Sequence, residues 1–364
     1  MQRKRADGFL GRAKSGFSVF RGLRVSALVT MVGAASLATV ATTISSSAAS
    51  AAAGAPGTVF VANYGGMGGS GMAATGSVTS YRPDATGNTH ALGTISAKVN
   101  APQGLTFDSS GDLWVANSNT NTVCEYTKSE LALASPAPSV TISSDPSGDL
   151  NTPGGLAFDS SGDLWVANTG VTTVVEYTRS QLAKTGSPTP RATISNASFN
   201  TPFGVAFDSS GDLWVSDNAQ PGSPAVFKYT KSELAKASPA PSVTIALQAS
   251  PDGDDTRSGL AFDPRGDLWV VNSGGYSLVE FTKSDLAKAK PTPSVTISSN
   301  ALENAPDDII FDSSGDLWVA NTGNNTIDEY TRSELAKSGS PAPSRTITGQ
   351  RTGLNAPMSV AIEP

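Results

Sequence analysis

Asp108 and Asp112 stand four residues apart in the phrase FDSSGDLWVAN (107–117), which returns letter for letter at 158–168 and 311–321 and with small changes at 207–217 and 262–272. Two carboxylates at that spacing are residue types that could hold a hard cation through oxygen. They could equally close a tight turn, because an aspartate side chain accepts from nearby backbone N–H groups and glycine tolerates positive φ. The spacing lacks the closely alternated acidic oxygens and trailing glutamate of an EF-hand-like loop. Five near-identical copies also suit a joint in a repeated scaffold better than one active site, so hairpin chemistry is the expectation.

Other reactive residues are few. His90 is the only histidine and Cys124 the only cysteine, so no intrachain disulfide forms. Cys124 occupies a position filled in other copies by Val175, Phe227, Val279 and Asp328, which marks a half-buried filler rather than a reactive thiol. No nucleophile with a neighbouring base is identifiable. The glycine-rich YGGMGGSGMAATG (64–76) lacks the following helix and the lysine of a phosphate-binding loop, and reads as a flap or a disordered insertion.

The elements that must position these residues follow from the repeat. All five tryptophans (Trp114, Trp165, Trp214, Trp269, Trp318) belong to it and recur about every 50 residues, the signature of an array of supersecondary units. In residues 153–195 the pattern PGGLAFD, SSG, DLWVAN, TGVT, TVVEYT, insert, PRATIS gives four short β-rich strands separated by turn residues. Within DLWVAN, Leu164 and Val166 fall on one face and Trp165 and Ala167 on the other. A sheet apolar on both faces must be sandwiched between neighbours. The expected fold is therefore all-β: a β-propeller of four-stranded antiparallel blades, with the tryptophans in the core.

Complete units span 102–143, 153–195, 202–246, 258–298 and 308–348. A further unit at 57–98 has Phe60 in place of tryptophan and no first strand, while NAPMSVAIEP (355–364) matches a first strand and then stops. Six blades, the first completed by the C-terminal strand, account for every segment and leave no open edge. Between third and fourth strands, Thr127, Thr178, Thr230, Thr282 and Thr331 each precede Glu, Gln or Asp by three residues, a capping-box spacing that predicts a helical turn. The lysines and arginines of these inserts read as a solvated basic collar.

Residues 1–53 read as a signal peptide: seven cations before residue 25, an uncharged run over 25–43 and a small-residue tail with Ala-x-Ala sites. Left uncleaved, the same run would be an anchor and the only membrane contact. The propeller then occupies 54–364, in a secreted or cell-envelope-associated monomer. Without the leader, 18 of the 25 basic and 30 of the 31 acidic residues remain, a net charge near −12 that argues against nucleic acid as a partner.

The string NTPGGLAFDSSGDLWVANTGVTTVVEY resembles the NHL repeat, whose blades read Asn-x-Pro-x-Gly-(apolar)-Ala-Phe-Asp-x-x-Gly-x-(apolar)-aromatic-Val-Ala-Asp. The likeness covers 102–348 in five copies and 57–98 more weakly. Thr122, Thr173 and Thr326 stand where arginine is usual, and the SELAK-type insert is longer than in that family. The resemblance implies a binding or interaction module for an extracellular protein, peptide or cell-envelope ligand. Similar propellers also serve the streptogramin lyase and gluconolactonase families, which implies a metal-assisted lyase or lactonase as the alternative.

Specificity belongs where copies differ. The connection from second to third strand takes five residues in four blades, eight in blade four (217 to 225) and fourteen in blade one (63 to 77), and these two blades are opposite in a ring of six. The position after the residue that opens each first strand, proline in five blades and Arg257 in blade five, also varies: Gln103, Gly154, Phe203, Ser258, Asp307 and Met358. Blade five adds Asp252, Asp254, Asp255 and Arg257, and blade six adds Asp308. Gln103, Phe203, Arg257, Asp307, Asp308 and Met358 are thus the candidate ligand contacts at the channel mouth, able to receive a cationic or amphipathic ligand. No cofactor is expected. If calcium or magnesium is bound there, Asp254, Asp255 and Asp307 are the carboxylates to hold it.

Overall fold

Strands with two apolar faces can be buried only between other strands, and this chain does so six times. A computed structural model describes residues 56–65, 76–218, 224–248, 258–288, 290–303 and 305–364. Residues 1–55, most of the 64–76 segment, part of the blade-four loop and the acidic 251–257 stretch with Asp252, Asp254, Asp255 and Arg257 lie outside them. The described residues form six four-stranded antiparallel sheets. Blade one is composite, in the order Pro357–Ile362, Val59–Asn63, Ser77–Tyr81, Gly93–Ile95. The other five blades start on the inner strands Pro102–Phe107, Pro153–Phe158, Pro202–Phe207, Leu260–Phe262 and Pro306–Phe311. Each inner strand packs against those of the blades before and after it, closing the ring from blade six to blade one.

Aromatic packing propagates around that ring. The five tryptophans are at most 2% exposed. Trp114 meets Phe158 of the next inner strand edge-on at 5.8 Å, Trp165 meets Phe207 at 6.0 Å, Trp214 meets Phe262 at 6.0 Å and Trp269 meets Phe311 at 6.1 Å. In blade one Phe60 does the same with Phe107 at 5.3 Å. Such a pair contributes about 0.5–1.5 kcal/mol beyond area burial. Trp318, which has no phenylalanine ahead of it, packs in the cluster that holds Val360 and Ile362.

The repeated aspartates are turn chemistry with two distinct jobs. Asp108 Oδ1 accepts from the backbone N–H of Ser110 at 2.8 Å and of Asp112 at 3.0 Å, around Gly111 at φ +81°. Asp112 Oδ1 accepts from Lys128 N–H at 2.7 Å and so seats the helical turn Lys128–Leu131. That turn is capped as its spacing predicts, with Thr127 N–H donating to Glu130 Oε2 at 2.7 Å and Glu130 N–H to Thr127 Oγ1 at 3.3 Å. Turn and insert therefore share one face of the propeller. The loops that enter first strands share the other.

Candidate functional site

The six inner strands enclose an axial cavity of about 340 Å³. Its upper wall is shaped by glycine. An added Cβ on Gly104 would collide with the carbonyl oxygen of Gly154, and one on Gly155 with that of Phe203, so adjacent strands approach closely only because these side chains are absent. Gly204 and Gly259 repeat the arrangement in blades four and five. Blades six and one break it with Asp308 and Ser359, and both line the cavity.

Asp308 is bound across the seam where the ring closes. Its Oδ2 accepts from the Ser359 hydroxyl at 2.6 Å and from Val360 N–H at 3.3 Å, and Ser359 Oγ accepts in turn from Leu105 N–H at 3.1 Å. One relay thus joins the inner strands of blades six, one and two. Asp308 is half-buried, and burial of its carboxyl pushes it up to about 6 against the hydrogen bonds that favour the anion.

The other expected contacts divide. Gln103 and Phe203, 3% and 2% exposed, line the same cavity as Asp308, with the Phe203 ring packed over Gly154. Gln103 Oε1 is buried without a hydrogen-bond partner. Asp307 and Met358, also buried, face the seam between blades six and one, where the Thr322 hydroxyl sits against Asp307 Oδ2, the Pro357 carbonyl oxygen and Met358 Sδ. Arg257, Asp254 and Asp255 fall outside the described residues. His90 is exposed, just ahead of the outer strand of blade one.

On the insert face a second set of groups comes together, which the spacing of the aspartates alone does not reveal. A third-strand glutamate joins four of the five aspartate pairs, giving Asp108/Asp112/Glu125, Asp159/Asp163/Glu176, Asp263/Asp267/Glu280 and Asp312/Asp316/Glu329, each with one oxygen per residue within 4.8 Å. Burial pushes all four glutamates up. The chain supplies its own cations to three of them: Arg191 pairs with Glu176, Arg345 with Glu329, and Arg265 reaches Asp263 at 2.8 Å, Asp267 at 3.4 Å and Glu280 at 3.0 Å. In blade four Lys228 replaces the glutamate and lies 2.8 Å from Asp212 and 3.5 Å from Asp208. In blade two Glu125 accepts from the Ser139 hydroxyl at 2.6 Å. Asp307 belongs to no such group among the described residues.

No protein-family model matches the chain, and no curated protein sequence does. Solved structures do. The crystal structure of a nidogen/laminin complex is 14% identical with a TM-score of 0.59, over 85% of this chain and 99% of that one. A Bacteroides caccae protein of unknown function is 12% identical with a TM-score of 0.55, over 85% and 99%. A streptogramin B lyase is 15% identical with a TM-score of 0.46, over 64% and 66%. At these identities the first two likenesses show a shared fold. The class is a six-bladed β-propeller, and the likeness to the NHL repeat rests on the repeated residues alone.

Proposed function

We propose that this chain is an exported, monomeric binding module that takes a small ligand, or a side chain of an extracellular or cell-envelope partner, at the mouth of its axial channel. One observation carries the reading: four of the positions at which the inner strands depart from their repeat, Gln103, Phe203, Asp308 and Ser359, line a single cavity. Concave, mostly apolar pockets with a few convergent polar groups are the usual form of a ligand site. The cationic start, uncharged run and small-residue tail of residues 1–53 support export. A metal-assisted lyase or lactonase would draw on several carboxylates or histidines around the channel, and Asp308 is the one ionisable side chain among the described lining residues.

The test is a thermal-shift screen of the full chain against small organic amines, acids and neutral aromatics, since a ligand of the native state raises stability by RT ln(1 + [L]/Kd). Stabilising compounds are expected to compete for one site and to lose their effect when Gln103→Ala and Asp308→Asn are combined. Stabilisation that survives this double substitution would move the site away from the channel.

A further inference from the structure

We propose that the channel ligand is an organic monocation, a primary or secondary ammonium on an apolar body; the inference rests on the channel-mouth reading above. The charged side-chain group there is the Asp308 carboxylate, which is an acceptor. Gln103 lines the same cavity, and its amide carries donors as well as an acceptor. Ser359 adds no spare donor, because its hydroxyl proton is directed to Asp308 and its oxygen already accepts from Leu105. What fits is a ligand that brings N–H donors.

Charge decides the valence. Asp308 is the single ionisable side chain among the described residues lining the cavity. Its strand neighbour Asp307 is engaged by Thr322 in the seam, and no lysine, arginine or histidine among the described lining residues offsets it. One carboxylate matches one positive charge, whereas a hard divalent ion takes six or more oxygen ligands, several of them usually charged. The apolar body has its own wall. Phe203 belongs to blade four, opposite the composite blade one whose flanking blades carry Asp308 and Gln103, and Phe107, Phe158, Phe207, Phe262 and Phe311 line the cavity beyond. An ammonium held between acceptors on one side and an aromatic ring on the other is also favoured by the ring quadrupole.

Calorimetry on the full chain tests this with three probes: 2-phenylethylammonium chloride, the neutral 2-phenylethanol and calcium chloride. The ammonium is expected to bind with unit stoichiometry at pH 7.5 and about tenfold more weakly at pH 5, where Asp308 is mostly protonated. Asp308→Asn should weaken it at least about tenfold at pH 7.5 and abolish the pH dependence, and Gln103→Met should weaken it about threefold to tenfold. The comparison of pH values on the unmodified chain needs no variant to fold. Alcohol binding equal to the ammonium, unchanged in Asp308→Asn, would overturn the ammonium assignment and leave the channel reading standing. Calcium binding that depends on Asp308 would overturn it in favour of a metal. If neither organic probe binds, both this inference and the channel reading fall.

Discussion

Asp308 sets a carboxylate where the repeat sets glycine, and its cost can be measured. An acid whose folded pKa is raised holds its proton more tightly folded than unfolded, so stability falls as pH rises from the ordinary carboxylate range to about 6 and is level above it. At about 1.4 kcal/mol per pKa unit the penalty is at most about 3 kcal/mol, and lumen water reduces it to about 1 kcal/mol. Asp308→Asn is therefore expected to melt about one to two degrees higher than the parent at pH 7.5 and within error of it at pH 4. Equal melting at both pH values would show that the carboxylate is not strained. Lys228 makes the opposite case. Burial works against the Asp208 carboxylate, but hydrogen bonds from Trp214, Asp212 and Ser210, together with Lys228, hold it below the usual range. Lys228→Met should cost about 2 kcal/mol at pH 7, because two half-buried aspartates lose their cation. The loss should shrink as pH falls through the aspartate titration, a narrowing that melting curves from pH 7 to pH 3 would follow.

Inner strands show at the scale of elements how backbone contact, rather than side-chain packing, fixes the channel. On Gly155 a Cβ would lie 3.2 Å from both Gly204 Cα and Val205 N and collide with the Phe203 carbonyl oxygen, so the neighbouring strand itself must shift. Overpacking of this kind costs about 1–3 kcal/mol or more. Gly155→Ala is expected to lower the denaturant midpoint accordingly, while Gly186→Ala, with nothing within 4 Å of the new methyl, should stay within about 0.5 kcal/mol of the parent. Equal effects would mean that the inner strands have room to separate. The elements themselves were legible in the sequence, because strand period, turn residues and capping-box spacing are local signals. Asp108, Gly111 and Thr127 do in the structure what their neighbours in the chain imply. The glutamate and arginine layer was not legible, since Glu176 and Arg191, or Arg265 and Glu280, stand 15 residues apart and meet only once the strands of the blade have paired. Ser359 had a readable signal that the strand alignment contains: PMSVAI and PDDIIF lack the third-position glycine of PGGLAF. That the glycine marks close strand approach, and that Asp308 and Ser359 therefore meet, needs the closed ring.

Closure is the property of the whole molecule on which the site depends. The strand Pro357–Ile362 pairs antiparallel with Val59–Asn63, with Phe60 opposite Ala361 and Val59 opposite Ile362. Backbone bonds from Gly57 N–H to the Glu363 carbonyl at 2.8 Å and from Glu363 N–H to the Thr58 carbonyl at 2.9 Å fasten its end. Lys128 of blade two reaches the buried Glu363 carboxylate at 3.2 Å, and Ser359 carries the relay between Leu105 and Asp308. The last ten residues thus touch blades one, two and six together. Chain ends usually tolerate trimming because little is packed on them; here Met358 and Val360, 5% and 2% exposed, alone account for about 4 kcal/mol of burial. Their loss would also uncover Trp318, leave Val59–Asn63 with an unpaired edge and release Asp308 from its donors, against a total stability of about 5–15 kcal/mol. A chain stopped at Leu354 is therefore expected to emerge aggregated or without a cooperative melt, and adding residues 355–364 as a separate peptide should restore part of the transition if the rest of the ring persists. Size-exclusion chromatography and thermal melts decide it: a soluble monomer with the parental melting temperature would show that the ring stands without its closing strand, and that the channel site does not require the seam.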